Sequence, residues 1–498
     1  MRKRFEIQLE IGSCPIEEIG IPLKSRDELP PVLRALQYIY TTPEINEQVF
    51  DLLESEIVIT GNGRPGMSLW EILVFGVVRL TLDADYDRLE HIANYDMLVR
   101  ELLGLSYFGR NKKVYPLQTL KDNVGFLTEE LLDDINGIVV KVGHRIKKKD
   151  EVLRVKIDTY PVESNVHFPT DVNLLWDAAR KSIQMVLKIV VGTDIQGWRK
   201  GQAWVREIKN AYLRVSKHMA SGGKNKAVRL QESTKEYLRL TKTISEKIKS
   251  SREALTKATE GSLPKTICLM ELFYFEEMLD KHINLVERRI MKEEKIPHNE
   301  KMFSLFEPYT EWIKKGKSGN RVDLGLNVAV ATDQYGFCID HHVLEKEQDV
   351  AIAVPMTEQI IERSDIPIGS VSYDMGFWSQ DNYEALSTLI PEVVIRKKGK
   401  SSKEEYEREH SKQFIALRHE HSAVESDINS LEHHGLDRCP DSGIDHFKRY
   451  ISLGILSFNL HRLGNLLIEK DRKKIKKRRP ASRLCRDHSG GRLRLALA

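Results

Sequence analysis

Three acidic residues stand where a chain of this length can gather carboxylates from distant segments: Asp158, Asp374 and Glu425. Asp158 closes the β-branched run VLRVKID, Asp374 closes GSVSYD, and Glu425 lies in a stretch with helical periodicity. Carboxylates are hard oxygen donors and suit Mg²⁺ or Mn²⁺. Two such ions roughly 4 Å apart activate an oxygen nucleophile and neutralise a leaving oxygen, the demands of phosphodiester hydrolysis or transfer. A single aspartate at a strand end is most often a turn or cap residue, and a helical glutamate most often faces solvent. The chemical reading rests on all three falling at matching places of one topology.

That topology follows from the order of elements. Residues 152–159 read as a strand that ends near Asp158. A mostly helical region fills about 172–300, broken by SGGKN at 221–225 and GSLP at 261–264, and reads as an insertion, a long antiparallel hairpin. DLGLNVAVAT and GFCIDHHVL are strand-like and joined by a short turn. A helix over 350–364, a strand over 369–374, a helix over 380–389 and the short strand EVVIRK follow. One long helix over 403–434 carries Glu425, and a last apolar helix runs to about 470. This is the element order of the ribonuclease-H-like α/β fold, an antiparallel meander joined by parallel strands through crossover helices. Asp374 then closes the fourth core strand beside Asp158, and Glu425 projects from the last core helix.

The N-terminal 1–140 reads as helical. Ser68 and Glu71 form a capping-box pattern ahead of an apolar helix to about Leu82. Two short amphipathic helices follow in DADYDRLEHIANYDMLVRELLG. Three short helices with tight turns fit a helix-turn-helix DNA-binding unit, and a plain helical bundle has the same pattern. The expected organisation is a helical N-terminal DNA-binding domain over 1–140, a catalytic domain over 150–470 with the insertion at about 180–300, and a basic flexible tail over 471–498.

Composition bounds the class. Hydrophobic residues make up 41%, enough for real cores, and the formal net charge is only +4. Basic residues cluster locally, as in KKGKSGN with Lys315 and Lys317, and RKKGK with Lys397 and Lys398. Such runs are usually solvated loops, but beside a DNA-cutting site they suit phosphate. GKSGN lacks the spacing of a P-loop. The five cysteines are scattered without a CxxC pair, which supports neither a disulfide framework nor a zinc site. The N-terminus lacks a signal-peptide core, and the apolar run near Ile72 to Leu82 is too short to span a bilayer. A cytoplasmic, nucleoid-associated protein without membrane contact is expected.

Three blocks carry a resemblance. DTYPVESNVHFPTDVNLLWDAAR, from Asp158, resembles the first-aspartate block of bacterial insertion-sequence transposases. YDMGFWSQDNYEAL resembles the second, with Asn382 as its later asparagine. HSAVESDINSLEHHGLDRCPDSGIDHFKRYISLGILSFNLHRLG resembles the third, in which the glutamate sits in a Val-Glu pair. The chain resembles DDE transposases of the ISNCY type over nearly its whole length, including GRPGMSLWEILVFG and FEPYTEWIKKGKSGNRVDLGLNV. The resemblance implies Asp158, Asp374 and Glu425 as catalytic and metal-holding residues, two Mg²⁺ or Mn²⁺ ions, and transposon-end and target DNA as partners. It also implies a homodimer or larger synaptic assembly. Related transposases carry Tyr, Arg and Lys around the glutamate, where this chain has Arg418, His421 and Glu432. Arg418 and His421 suit a transposon-end phosphate; Glu432 cannot replace a lysine.

Competing carboxylates are Asp171, which also reads as a helix N-cap, then Asp177 and Asp381, with Glu163 as a supporting residue; His167 reads as a packing or loop-positioning residue. Two rival functions remain: a ribonuclease-H-like nuclease that cuts without joining, and a non-catalytic DNA-binding protein or decayed transposase.

Overall fold

The computed structural model describes residues 4–5, 14–57, 66–105, 113–147, 151–314 and 322–478. Lys315 and Lys317 lie outside them, as do residues 479–498 of the expected tail.

The β-branched run around Asp158 forms the long strand β1 (Leu153–Ser164), and the sheet is built outward from it. The insertion follows: α8 (Asp171–Val190), α9 (Gly201–Ala220), α10 (Lys226–Lys257) and α11 (Leu263–Val286). Next come β2 (Glu311–Lys314), β3 (Val322–Thr332) and β4 (Cys338–Val343), then α12 (Asp349–Arg363) and β5 (Ile368–Tyr373). The chain continues through α13 (Gln380–Leu389), β6 (Glu392–Val394), α14 (Lys403–Glu409), α15 (Lys412–His421), α16 (Ala423–Leu431), β7 (Arg438–Cys439) and α17 (Ile444–Arg478). Ahead of β1 stand α1 (Leu29–Thr41), α2 (Pro43–Glu56), α3 (Leu69–Thr81), α4 (Tyr86–Tyr95), α5 (Met97–Leu102), α6 (Leu117–Val124) and α7 (Glu129–Lys147).

The result is a mixed α/β protein with an open, mixed seven-stranded sheet. β1 pairs antiparallel with β3 and parallel with β5, and β6 adds parallel to β5. β4 and β2 pair antiparallel with the other edge of β3. Five of the strands thus stand in the spatial order β4-β3-β1-β5-β6. β2 and the two-residue β7 lie outside the expected set; β7 is too short for alternation to reveal.

Successive side chains of β1 serve opposite faces. Val155 and Ile157 enter one cluster with Ile352, Met356 and Ile360 of α12. Tyr160 and Val162 enter another, shared by the N-terminal helices and α17. At the centre of that second layer α3 has every residue buried, and its capping box between Ser68 and Glu71 forms as the sequence predicts. Arg79 of α3 makes a two-pronged bond to Asp441, at 2.7 and 3.0 Å, and its guanidinium lies over the Tyr86 ring. Hydrophobic packing is therefore continuous across the change of secondary structure near residue 150. α17 is long and apolar enough to cross a membrane by composition, but 78% of its apolar window is buried inside the protein.

The insertion has its own core, built from Leu175, Ile183, Val186, Tyr237, Leu272 and Leu279 among others. It contains four helices rather than one hairpin; two of the three breaks fall at SGGKN and GSLP, and the third, over 191–200, separates α8 from α9.

Two expectations are corrected. The single helix over 403–434 is three helices. Ser411, in extended backbone, caps the Phe414 amide and starts α15 afresh; Ser422 turns its hydroxyl back onto His419 O and interrupts the ladder again. Residues 471–478, expected as the start of a flexible tail, belong to a helix. α17 runs to Arg478, with Arg34 of α1 bonded to Asp471 at 3.0 Å.

Candidate active site

β1 outruns its parallel neighbour. Ile157 lies opposite Tyr373, where β5 stops, and pairing on this side resumes only at Glu163 with β7. Residues 158–162 of β1 therefore border a notch at the carboxyl end of β5, a place where open α/β sheets put ligands. Asp158 and Asp374 are the first residues beyond the paired register. Parallel strands about 4.8 Å apart bring these two carboxylates to the same notch.

Asp158 is half-buried, and its Oδ1 accepts the Thr159 amide at 2.8 Å. Burial pushes its carboxyl up to about 6, the Thr159 amide opposes this, and the charges of Asp374, Asp349 and Glu425 add to it. Asp374 is exposed and caps the short turn Met375–Phe377, accepting the Met375 amide at 2.6 Å. Glu425 lies exposed in the first turn of α16, which packs on β1 through its other face. Asp374 and Glu425 thus each act electrostatically on Asp158.

Asp349 completes the acidic field and was not legible as a site residue in the sequence. It begins α12, and its carboxyl is raised by burial, lowered by a bond from the Thr159 side chain, raised by Asp374 and lowered by Lys398. Gly376 leaves room for it: a Cβ at 376 would lie 2.9 Å from Asp349 Oδ2. Asn382 ties the two acidic segments together. Its Nδ2 donates to Val350 O at 2.7 Å, beside Asp349, and to Phe377 O at 3.1 Å, just beyond Asp374. The only sequence signal for Asp349 was its place at a helix start, where carboxylates are common for capping reasons alone.

The neighbouring acids have other work. Asp427, two residues after Glu425, is buried between Lys156 at 3.1 Å and Arg462 at 2.8 Å, so its charge is already met. Asp171 pairs with Arg289 at 2.8 Å inside the insertion, and the N-cap of α8 is Thr170. Asp177 pairs with Arg180 at 3.0 Å and His167 at 3.3 Å, which makes His167 a loop-positioning residue. Asp381 lies exposed in the first turn of α13.

The predicted phosphate contacts divide. His421 is half-buried, with Nδ1 3.1 Å from Ser372 Oγ. Burial lowers its pKa against the pull of Asp374, so it meets this site mainly as a neutral imidazole rather than a cation. Arg418 is exposed on α15, a different helix from Glu425. Lys397 is held by both oxygens of Glu405 at 2.8 and 2.9 Å, whereas Lys398 is exposed and its charge reaches Asp349.

Among the described residues no group of three or more His, Cys, Asp or Glu side chains is gathered tightly enough to hold a metal ion as positioned. The donor set nonetheless suits a hard divalent cation. It is all oxygen, Asp158 and Asp374 border a notch, and burial together with the neighbouring carboxylates raises Asp158. No family model, no curated protein and no solved structure matches this chain.

Proposed function

We propose that the protein is a DDE transposase with a ribonuclease-H-like catalytic core, cutting DNA at transposon ends and joining the freed strand to target DNA. The observation that carries this reading is the placement of Asp158 and Asp374 on adjacent parallel strands, with Glu425 in the same electrostatic field. The strand order β4-β3-β1-β5-β6, third-second-first-fourth-fifth within the core, supports the fold assignment, as do the three sequence blocks.

In this reading Asp158 and Asp374 hold divalent ions, Mg²⁺ or Mn²⁺, and Glu425 completes the set. Such ions supply Lewis-acid activation of the attacking oxygen and neutralise the leaving one. The chain's own residues do the rest. Asn382 fixes the Asp349 and Asp374 segments against each other. Lys398 and Arg418 offer phosphate-binding charge at the rim. His421 orients the Ser372 end of β5. Water and then a 3′-OH act as successive nucleophiles, without a covalent protein–DNA intermediate. The N-terminal helices and a dimeric or larger assembly provide DNA-end recognition and synapsis.

A second reading draws on the open spacing of the carboxylates, which suits a protein that binds ends without cutting. One assay separates the readings. The protein is incubated with Mg²⁺, linear DNA carrying both flanks of its coding region, and a target plasmid. Joined products support the transposase, cutting without joining supports a nuclease, and retention in a gel shift without cutting supports the non-catalytic reading.

A further inference from the structure

Away from the carboxylate notch, a cleft of about 540 Å³ opens at the free edge of β4, between α7 and the C-terminal end of α12. None of Asp158, Asp349, Asp374 or Glu425 lines it. Its volume lies within the range of small-molecule sites. Its walls include Ile138, Val140, Ile339, Ile360 and Ile366. Its charges are unbalanced: Asp133, Asp134, Asp340, Glu362 and Asp365 face Lys141, Arg145 and Arg363. Two of those cations are already engaged, Arg363 with Asp340 Oδ1 at 3.0 Å and Lys141 with Asp365 at 2.9 Å.

Two features bear on what this cleft could hold. Asp340 is only 2% exposed, and its Oδ2 has no hydrogen-bond partner among the described residues. A buried acceptor left open is costly and marks a place where a donor belongs. Burial pushes this carboxyl up to about 7 against the pull of Arg363, and Asp133 adds to the rise, so a further cation would be welcome there. The second feature is Gly137, in the interior of α7. Glycine is a poor helix former, yet a Cβ at this position would meet nothing within 4 Å. No packing neighbour requires glycine; its effect is to keep the α7 wall of the cleft open.

We propose that the β4-edge cleft binds an organic cation, an amine or guanidinium-type group on an apolar body, with its N–H donated to Asp340 Oδ2 and its body against the isoleucine walls. The net acidity selects a cation over an anion, and the isoleucine walls select an organic cation over a hydrated metal ion.

The test is isothermal titration of the full chain with two probes, benzamidine and agmatine, in the absence of DNA. At least one should bind the natural protein, and its affinity should fall tenfold or more in both Asp340→Asn and Gly137→Leu. Gly137→Leu fills the cleft while improving helix propensity, so its melting temperature should be equal or higher; it decides the question if Asp340→Asn fails to fold. Failure of both probes to bind, or unchanged affinity in Gly137→Leu, would overturn the proposal. Neither outcome depends on DNA cutting.

Discussion

Ile157 of β1 stands opposite Tyr373 of β5 in parallel register, so Asp158, within β1, and Asp374, the first residue after β5, stand side by side at one notch. Burial at that notch and the neighbouring carboxylates Asp374, Asp349 and Glu425 all disfavour the ionised form of Asp158.

Asp158 should cost stability in its ionised form. Its folded pKa, raised to about 6, exceeds the ordinary 3.8. Between those values the folded protein holds a proton that the unfolded chain has released, so stability falls as pH rises through this window and stays lower above it. Asp158→Asn should therefore melt at a higher temperature than the natural protein at pH 7.5, with the difference disappearing near pH 4. Thermal melts at the two pH values check this; a lower melting temperature for the variant at pH 7.5 would contradict the cost assigned to ionised Asp158. Mg²⁺ should narrow the difference by stabilising the natural protein alone.

Asp349 contributes to the same field from the start of α12. Asp349→Asn should lower the pKa of Asp158 below about 6, because one repelling charge is removed. Carboxyl-carbon NMR titration of Asp158 reads this directly. An unchanged Asp158 titration would remove Asp349 from the site.

Asn382 is expected to position rather than react. Asn382→Ala loses two donated bonds, to Val350 O and Phe377 O, and should destabilise the protein by about 1–3 kcal/mol in chemical denaturation. Any DNA-cutting activity should fall further than that loss of folded protein explains, with gel-shift binding retained. A cutting rate equal to that of the natural protein would show that the two acidic segments hold their places without it.

The Arg79–Asp441 bond joins the N-terminal helices to the segment before α17. Burial alone would raise Asp441, but the Arg79 bond and charge outweigh it and hold the carboxyl below its ordinary value. Its contribution is thus present above pH 4 and lost as pH falls below that. Removing one partner of a buried pair, as in Asp441→Asn, should cost about 3–5 kcal/mol at neutral pH. A fragment of residues 1–147 should fail to fold alone, since α17 is missing from its core; circular dichroism of that fragment is the check.

Much of this arrangement was legible in the sequence. The run ending at Asp158 reads as a strand through Val155 and Ile157, and the run ending at Asp374 through Val371 and Tyr373. Ser68 with Glu71 marked the start of α3 through a capping box that the structure contains. What stayed hidden has identifiable causes. The breaks at Ser411 and Ser422 depend on serine side chains bonding to backbone, which a hydrophobic period does not register. The core shared by residues 16–143 and α17 is a long-range fact that no local pattern encodes. Asp349 was overlooked because a carboxylate at a helix start has an ordinary capping explanation; only the fold brings it against Thr159 and Gly376. Asp427 has its charge met by Lys156 and Arg462, a pairing that only the fold reveals.

The most direct test of the carboxylate site is metal-dependent cutting of DNA flanking the coding region, comparing the natural protein with Asp158→Asn, Asp374→Asn and Glu425→Gln. The expected result is cutting with Mg²⁺ or Mn²⁺ that falls at least about a hundredfold in each variant, while gel-shift affinity is preserved. Cutting at the natural rate by Asp158→Asn or Asp374→Asn would contradict the site, and the same result for Glu425→Gln would remove the third carboxylate from it.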